Sequence, residues 1–139
     1  MDRRRISSVP EGLKKRLDAA HAGLLRVHKA LLDHERTRYE RDRGPVGGPV
    51  EFLQVVIKDP WFAWLRPVSE LVVRIDELTM DRKQRDPGEG EAMLAEAARL
   101  MTPGDAGDFQ REYQRAMQES PDVAAAHGEW KKIDLRRQG

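Results

Sequence analysis

The chain has 139 residues, no cysteine and a formal net charge of +1. That length suits one domain around one hydrophobic core, and the missing thiols exclude a disulfide framework, a thiolate metal site and a cysteine nucleophile. Charged residues make up 35% of the chain, apolar residues 39% and aromatics 6%, the mix expected of helices with one buried stripe and a salt-bridged outer face. Residues 1–43 carry 12 Lys/Arg against 7 Asp/Glu, residues 81–126 carry 6 against 10, and the last 13 residues carry 4 against 2. Basic ends around an acidic middle suggest a weak nucleic-acid contact through residues 3–16 and 131–137. A strong nucleic-acid binder usually carries net basic charge, however, so nucleic acid is not the expected partner. The basic start MDRRRISSVPEGLKKR has no apolar run behind it, so no secretory signal is expected. No stretch approaches the roughly 18 apolar residues of a membrane span, and the expected location is the cytoplasm.

Residues 13–43 form the clearest element. Leu13, Leu17, Ala20, Leu24, Val27 and Leu31 step by 4, 3, 4, 3 and 4, a heptad-like seam that predicts a long amphipathic helix. Ser7 or Ser8 with Pro10 and Glu11 supplies a start signal, and Gly44-Pro45 the stop. Residues 50–58, VEFLQVVIK, have the composition of a strand. Phe52, Leu53, Val56 and Ile57 also fit helical spacing, and Pro49 suits a helix's first turn, so a short helix is expected. Asp59-Pro60 reads as an N-cap followed by proline at the first helical position. The helix from there to about residue 82 should kink or break near Leu65–Arg66, because Pro67 removes a backbone bond and crowds the preceding turn. Residues 83–90 read as a loop, 91–101 as a helix, 102–105 as a turn and 106–118 as a helix. Ser120-Pro121 caps a last helix over about 122–135. The expectation is an all-α single-domain bundle of five or six helices, with residues 1–10 and 136–139 frayed.

Chemistry is sparse in this pattern. Beside its seam the first helix carries His21, Leu25, His28, Leu32, Glu35 and Tyr39. His28 and Glu35 lie two turns apart there, and helical bundles build metal sites from such residues on facing helices. Asp76 and His127, with Ser69, are the candidate contributors from elsewhere. The chain has neither a Glu-x-x-His pair nor His-Glu-x-x-His, the patterns that mark metal-binding bundles and zinc proteases. A buried His–carboxylate hydrogen bond is the plainer reading. There is also no G-x-S-x-G, no phosphate-cradling glycine loop and no dinucleotide fingerprint, so no enzymatic reaction is indicated.

The stretch DPWFAWLRP, residues 59–67, holds three of the chain's eight aromatics. On an α-helix Trp61, Leu65, Val68, Val72 and Ile75 share one stripe, and Trp64, Leu71 and Leu78 widen it. Phe62 would point elsewhere, towards Arg66, Ser69, Val73 and Asp76. A first turn apolar on all sides is either buried at a junction of helices or presented to a partner. Arg66 would stack on an aromatic ring or pair with Asp76. Trp61, Phe62, Trp64 and Arg66 are therefore the candidate interaction residues.

The pairing of HKALLDHERTRYE (28–40) with EFLQVVIKDPWFAWLRPVSELVVRIDE (51–77) resembles a group of small all-helical bacterial proteins without an assigned function. The likeness extends to the LMTP, FQREYQ and SPDV segments after residue 100. It implies a soluble helical protein and brings no catalytic residues. The resulting expectation is a protein that acts by protein–protein interaction or self-association, as a homodimer through the long first helix or the aromatic corner. The alternative is a bundle binding a metal or small ligand through His28, Glu35, Asp76 and His127.

Overall fold

A computed structural model describes residues 10–80 and 87–135. Its architecture is all-α: six helices pack around one apolar core, with no strand among the described residues. The start signals at Ser7 and Ser8, residues 83–86 of the loop expected at 83–90 and the basic residues beyond 135 lie outside the described residues.

Helix α1 runs from Glu11 to Arg43 and is 33 residues long, about 50 Å at the α-helical rise. Every residue of the predicted seam is buried. The seam is the spine: α6, α3 and α4 all pack along it. Where α6 crosses, a Cβ on Gly23 would lie 2.7 Å from the Trp130 ring, so only a glycine admits the indole at this depth. The helix ends at Gly44, whose φ of 93° is a conformation that glycine adopts without strain.

Helix α2 (Pro49–Lys58) forms as expected, with Pro49 in its first turn. A 3-10 turn, Pro60–Leu65, follows, and helix α3 runs Arg66–Met80. The break falls at the expected place for an identifiable reason. Pro67 has no N–H to give to the carbonyl of Ala63, and the N–H of Arg66 takes that carbonyl instead, which is a 3-10 bond.

This local geometry corrects the position expected for Phe62. In a 3-10 turn residues i and i+3 eclipse, so Phe62 aligns with Leu65 and leads into Val68. All three are buried, Phe62 with 1% of its surface exposed. Trp61 and Trp64 share a different side and are half-buried.

Helix α4 spans Pro87–Leu100, α5 Asp108–Glu119 and α6 Pro121–Lys131. Helix α4 therefore starts earlier than the expected residue 91. Pro87 suits a first turn, and Gly90 brings α4 close against Leu13 and Leu17 of α1. Helix α6 is shorter than expected. Its end tightens through i→i+3 bonds from Lys132 to Glu129 and from Ile133 to Trp130. Ser120 caps its start by accepting from the Val123 N–H at 3.2 Å, as read from the sequence.

Candidate functional site

The aromatic stretch and the first helix meet at Glu35. Instead of lying beside the seam as expected, this glutamate continues it, four residues on from Leu31, and is fully buried at 0% exposure. A lone buried carboxylate is costly, so it must be hydrogen-bonded and paired. The indole N–H of Trp61 donates to its Oε1 at 2.9 Å. Arg38, one turn further along α1, donates to the same oxygen at 2.8 Å. Arg115 of α5 donates to Oε2 at 3.0 Å. Arg115 also holds Glu112 at 2.8 Å and Glu119 at 2.7 Å, and Glu119 in turn lies 2.9 Å from His34 Nε2. The hydrogen bond to His34 and the charge of Arg115 hold the Glu119 carboxyl below its ordinary pKa.

Rings and guanidinium groups complete this corner. Tyr39 packs edge-on to Trp61 at 5.4 Å and lies 5.5 Å from Phe62. Its hydroxyl donates to Asp59 Oδ2 at 3.1 Å, while Asp59 Oδ1 accepts from the Trp61 backbone N–H at 2.9 Å, capping the 3-10 turn. Arg38 stacks over Trp61 and Arg115 over Trp64. From Trp64 the aromatic contacts continue inward through Phe109 to Tyr113. Arg66 makes neither of its expected contacts. It donates to the Ile57 carbonyl at 3.2 Å, at the end of α2, where a cation suits a helix C-terminus.

The candidate metal ligands are not gathered. Glu35 is committed to Trp61, Arg38 and Arg115. Asp76 lies 2.9 Å from Nε2 of His21 on the flank of α1, without hydrogen-bond alignment. His127 Nδ1 is 2.7 Å from the buried Tyr113 hydroxyl. Burial keeps that hydroxyl protonated by pushing its pKa up. Burial, with the nearby Lys131, pushes the His127 pKa down, so the pair is a neutral hydrogen bond. His28 is half-buried midway between His21 and Glu35, and burial lowers its pKa too. Among the described residues no three His, Asp or Glu side chains come together as a metal site. The physical reason is local. Glu35 is taken by two arginines and an indole, Asp76 sits beside His21, and His127 is taken by Tyr113.

The described parts of the two basic ends adjoin, since Arg16 donates to the Leu135 carbonyl at 3.3 Å. Of the five cations described there, Lys14, Lys15, Arg16, Lys131 and Lys132, three are paired within the chain. Arg16 is bidentate on Glu91, Lys14 pairs with Asp18 and Lys132 with Glu129.

Beside the closed corner lies an open element. Helix α2 has no buried residue. Phe52, Val55 and Val56 are half-buried against the core, and Phe52 packs on Phe62 at 5.7 Å. On the other side Val50, Leu53 and Ile57 are 68%, 57% and 56% exposed. Only Glu51, Gln54 and Lys58, all exposed, break the apolar circumference. The helix is tied down at both ends. Arg36 stacks on Phe52 and donates to the Gly47 carbonyl at 3.0 Å, and Arg66 holds the Ile57 carbonyl at the far end. Sequence reasoning missed Val50 and the outward direction of Leu53 and Ile57. The signal was the all-round apolar wheel of VEFLQVVIK, which is the pattern of a buried helix.

A second apolar opening of about 530 Å³ lies between α1 and α6, with Leu25, Ala125 and Ala126 among its lining residues. Two of its rim charges, Lys29 and Glu129, are paired within the chain, to Asp33 and Lys132.

Among the described residues no helix is long and apolar enough to cross a membrane. No family model matches the chain, and neither a curated protein nor a solved structure matches it.

Proposed function

We propose that this protein acts by binding another polypeptide through the outer face of α2. The observation that carries the reading is one helix with the composition of a buried element and no buried residue. A ten-residue helix is marginal in water by propensity alone and is ordinarily held by tertiary packing. Here half of that packing surface faces solvent. Covering Val50, Leu53 and Ile57 would contribute on the order of 3–5 kcal/mol before the costs of association. The termini fixed by Arg36 and Arg66 supply a preorganised face, which lowers those costs.

The aromatic corner supports this role from behind. Phe62 is core, and Trp61 and Trp64 are engaged with Glu35, Phe109 and three arginines. Their work is to fix the turn on which α2 rests. Of the four interaction candidates, Arg66 belongs to the docking element only as the clamp on its last turn.

The test is a photo-reactive amino acid placed singly at positions 53, 64 and 73 and activated in cells. Val73 is the comparison, being an exposed aliphatic on α3. The expected result is a discrete cross-linked species from position 53 and none from 64 or 73. Equal yields from 53 and 73, or adducts from 64 alone, would overturn the assignment.

A further inference from the structure

We infer that the polypeptide covering α2 is α2 of a second copy of this chain, antiparallel about a two-fold axis. This rests on the reading of α2 as the docking face and names its partner. The argument is the arrangement of charge along that helix.

Val50, Leu53 and Ile57 step by 3 and 4, and so do Glu51, Gln54 and Lys58. At about 100° per residue the second set forms a polar flank running along one side of the apolar stripe. A two-fold axis that pairs two antiparallel helices sets like flank against like flank, each residue meeting its counterpart in reversed order. Centred between Leu53 and Gln54, the pairing lays Val50 of one copy beside Ile57 of the other, with the two Leu53 side chains at the middle. On the flank Glu51 of one copy and Lys58 of the other fall two residues, about 3 Å, out of level, a gap their long side chains span, and the axis repeats the pair with the two Gln54 amides between. The apolar stripe and the charge order are therefore self-complementary in one register. A parallel two-fold pairing would place the two polar flanks on opposite sides of the interface and bring no Glu51 beside a Lys58. Glu51 remains free to make this pair, since only its Oε1 accepts from the Gly48 N–H at 3.0 Å and a carboxylate has further acceptor sites.

Size sets the strength. Two ten-residue helices cover much less than the roughly 1,600 Å² of a standard interface. The dimer is therefore weak and reversible, forming at micromolar concentrations or above.

The experiment is sedimentation velocity of the full chain from about 1 µM to about 1 mM, with circular dichroism to verify folding of each variant. Wild type should pass from monomer to dimer, and Leu53→Asp should remain a monomer throughout. Glu51→Lys and Lys58→Glu should each weaken the homodimer about tenfold, because each opposes like charges twice. An equimolar mixture of those two variants should recover dimer, since the heterodimer restores both opposite-charge pairs. A wild-type dimer that survives Leu53→Asp would place self-association on another face and overturn the inference. Failure of the mixture to recover dimer would overturn the register. A wild-type monomer at the highest concentration would overturn self-pairing. In that case, cross-linking from position 53 to a chain of different mass keeps the docking reading, and its absence removes both.

Discussion

Leu53 and Trp61 sit on neighbouring elements and meet opposite surroundings. Trp61 is half-buried, its indole N–H donates to a carboxylate with no exposure at all, and arginines cover its ring. Leu53 has nothing polar to satisfy and is 57% exposed. The corner is closed by chemistry, because burying Glu35 obliges the fold to bring Arg38, Arg115 and Trp61 to it. Helix α2 is left open although Val50, Leu53 and Ile57 on its outer side are aliphatics of the kind that fill the core. The lesson is that aromatic density marks the support and the plain aliphatic stripe marks the exposed face.

The comparison can be broken first at its closed end. Phe62→Ala should cost about 3–5 kcal/mol, read from the urea midpoint, because it empties a buried ring site where α1, α2 and the 3-10 turn meet. A loss below about 1 kcal/mol would mean that the corner is not packed as described. Glu35→Ala should cost about 3 kcal/mol, the low end of the range for wholly buried pairs, since Arg38 and Arg115 are partly exposed and can rehydrate. Glu35→Gln should cost about half as much, because it keeps an acceptor and loses only the charge. Equal losses for both would place the importance in the charge instead of the acceptor geometry.

A pH series probes the rest of the core. Burial holds His28 and His127 below the ordinary 6.5. As pH falls below that value the unfolded chain takes up protons first, so stability that is complete above about pH 6.5 declines towards the lower folded values. The urea midpoint should fall between about pH 7.5 and about pH 5, and His28→Gln should reduce the fall. Glu119 acts in a separate window. Its lowered pKa gives stability that is complete above about 4.5 and lost at more acid pH. A midpoint flat from pH 7.5 to 5 would contradict the burial of the two histidines.

The smallest expected effect sits at the open end. Leu53→Asp should change monomer stability by no more than about 0.5 kcal/mol, as for other exposed positions, while removing association. A loss of several kcal/mol, measured where wild type is monomeric, would show that Leu53 serves the core.

Much of this was legible in the sequence. The α1 seam, the Pro49 and Asp59-Pro60 starts, the break at Leu65–Arg66 and the Ser120 cap all rest on local rules of backbone geometry and spacing. Phe62 was misplaced because an α-helical wheel was applied where Pro67 enforces a 3-10 turn, and the two differ by enough to turn a side chain from outside to inside. Arg115 could not be paired with Glu35, since 80 residues separate them and nothing in either neighbourhood announces the other. The same holds for His127 and Tyr113, which join α6 to α5. The exposed face of α2 was half legible. Its all-round apolarity is plain in VEFLQVVIK, but only the packing of Phe52 on Phe62 decides which side turns inward.

One measurement tests the central claim most directly: methyl and indole NMR spectra of this 15.9 kDa chain on dilution from about 1 mM to about 10 µM. The account predicts concentration-dependent shifts at the methyls of Val50, Leu53 and Ile57, with Leu24, Leu31 and the Trp61 indole N–H unmoved. Shifts centred on Trp61 and Trp64, or none anywhere on α2, would contradict it.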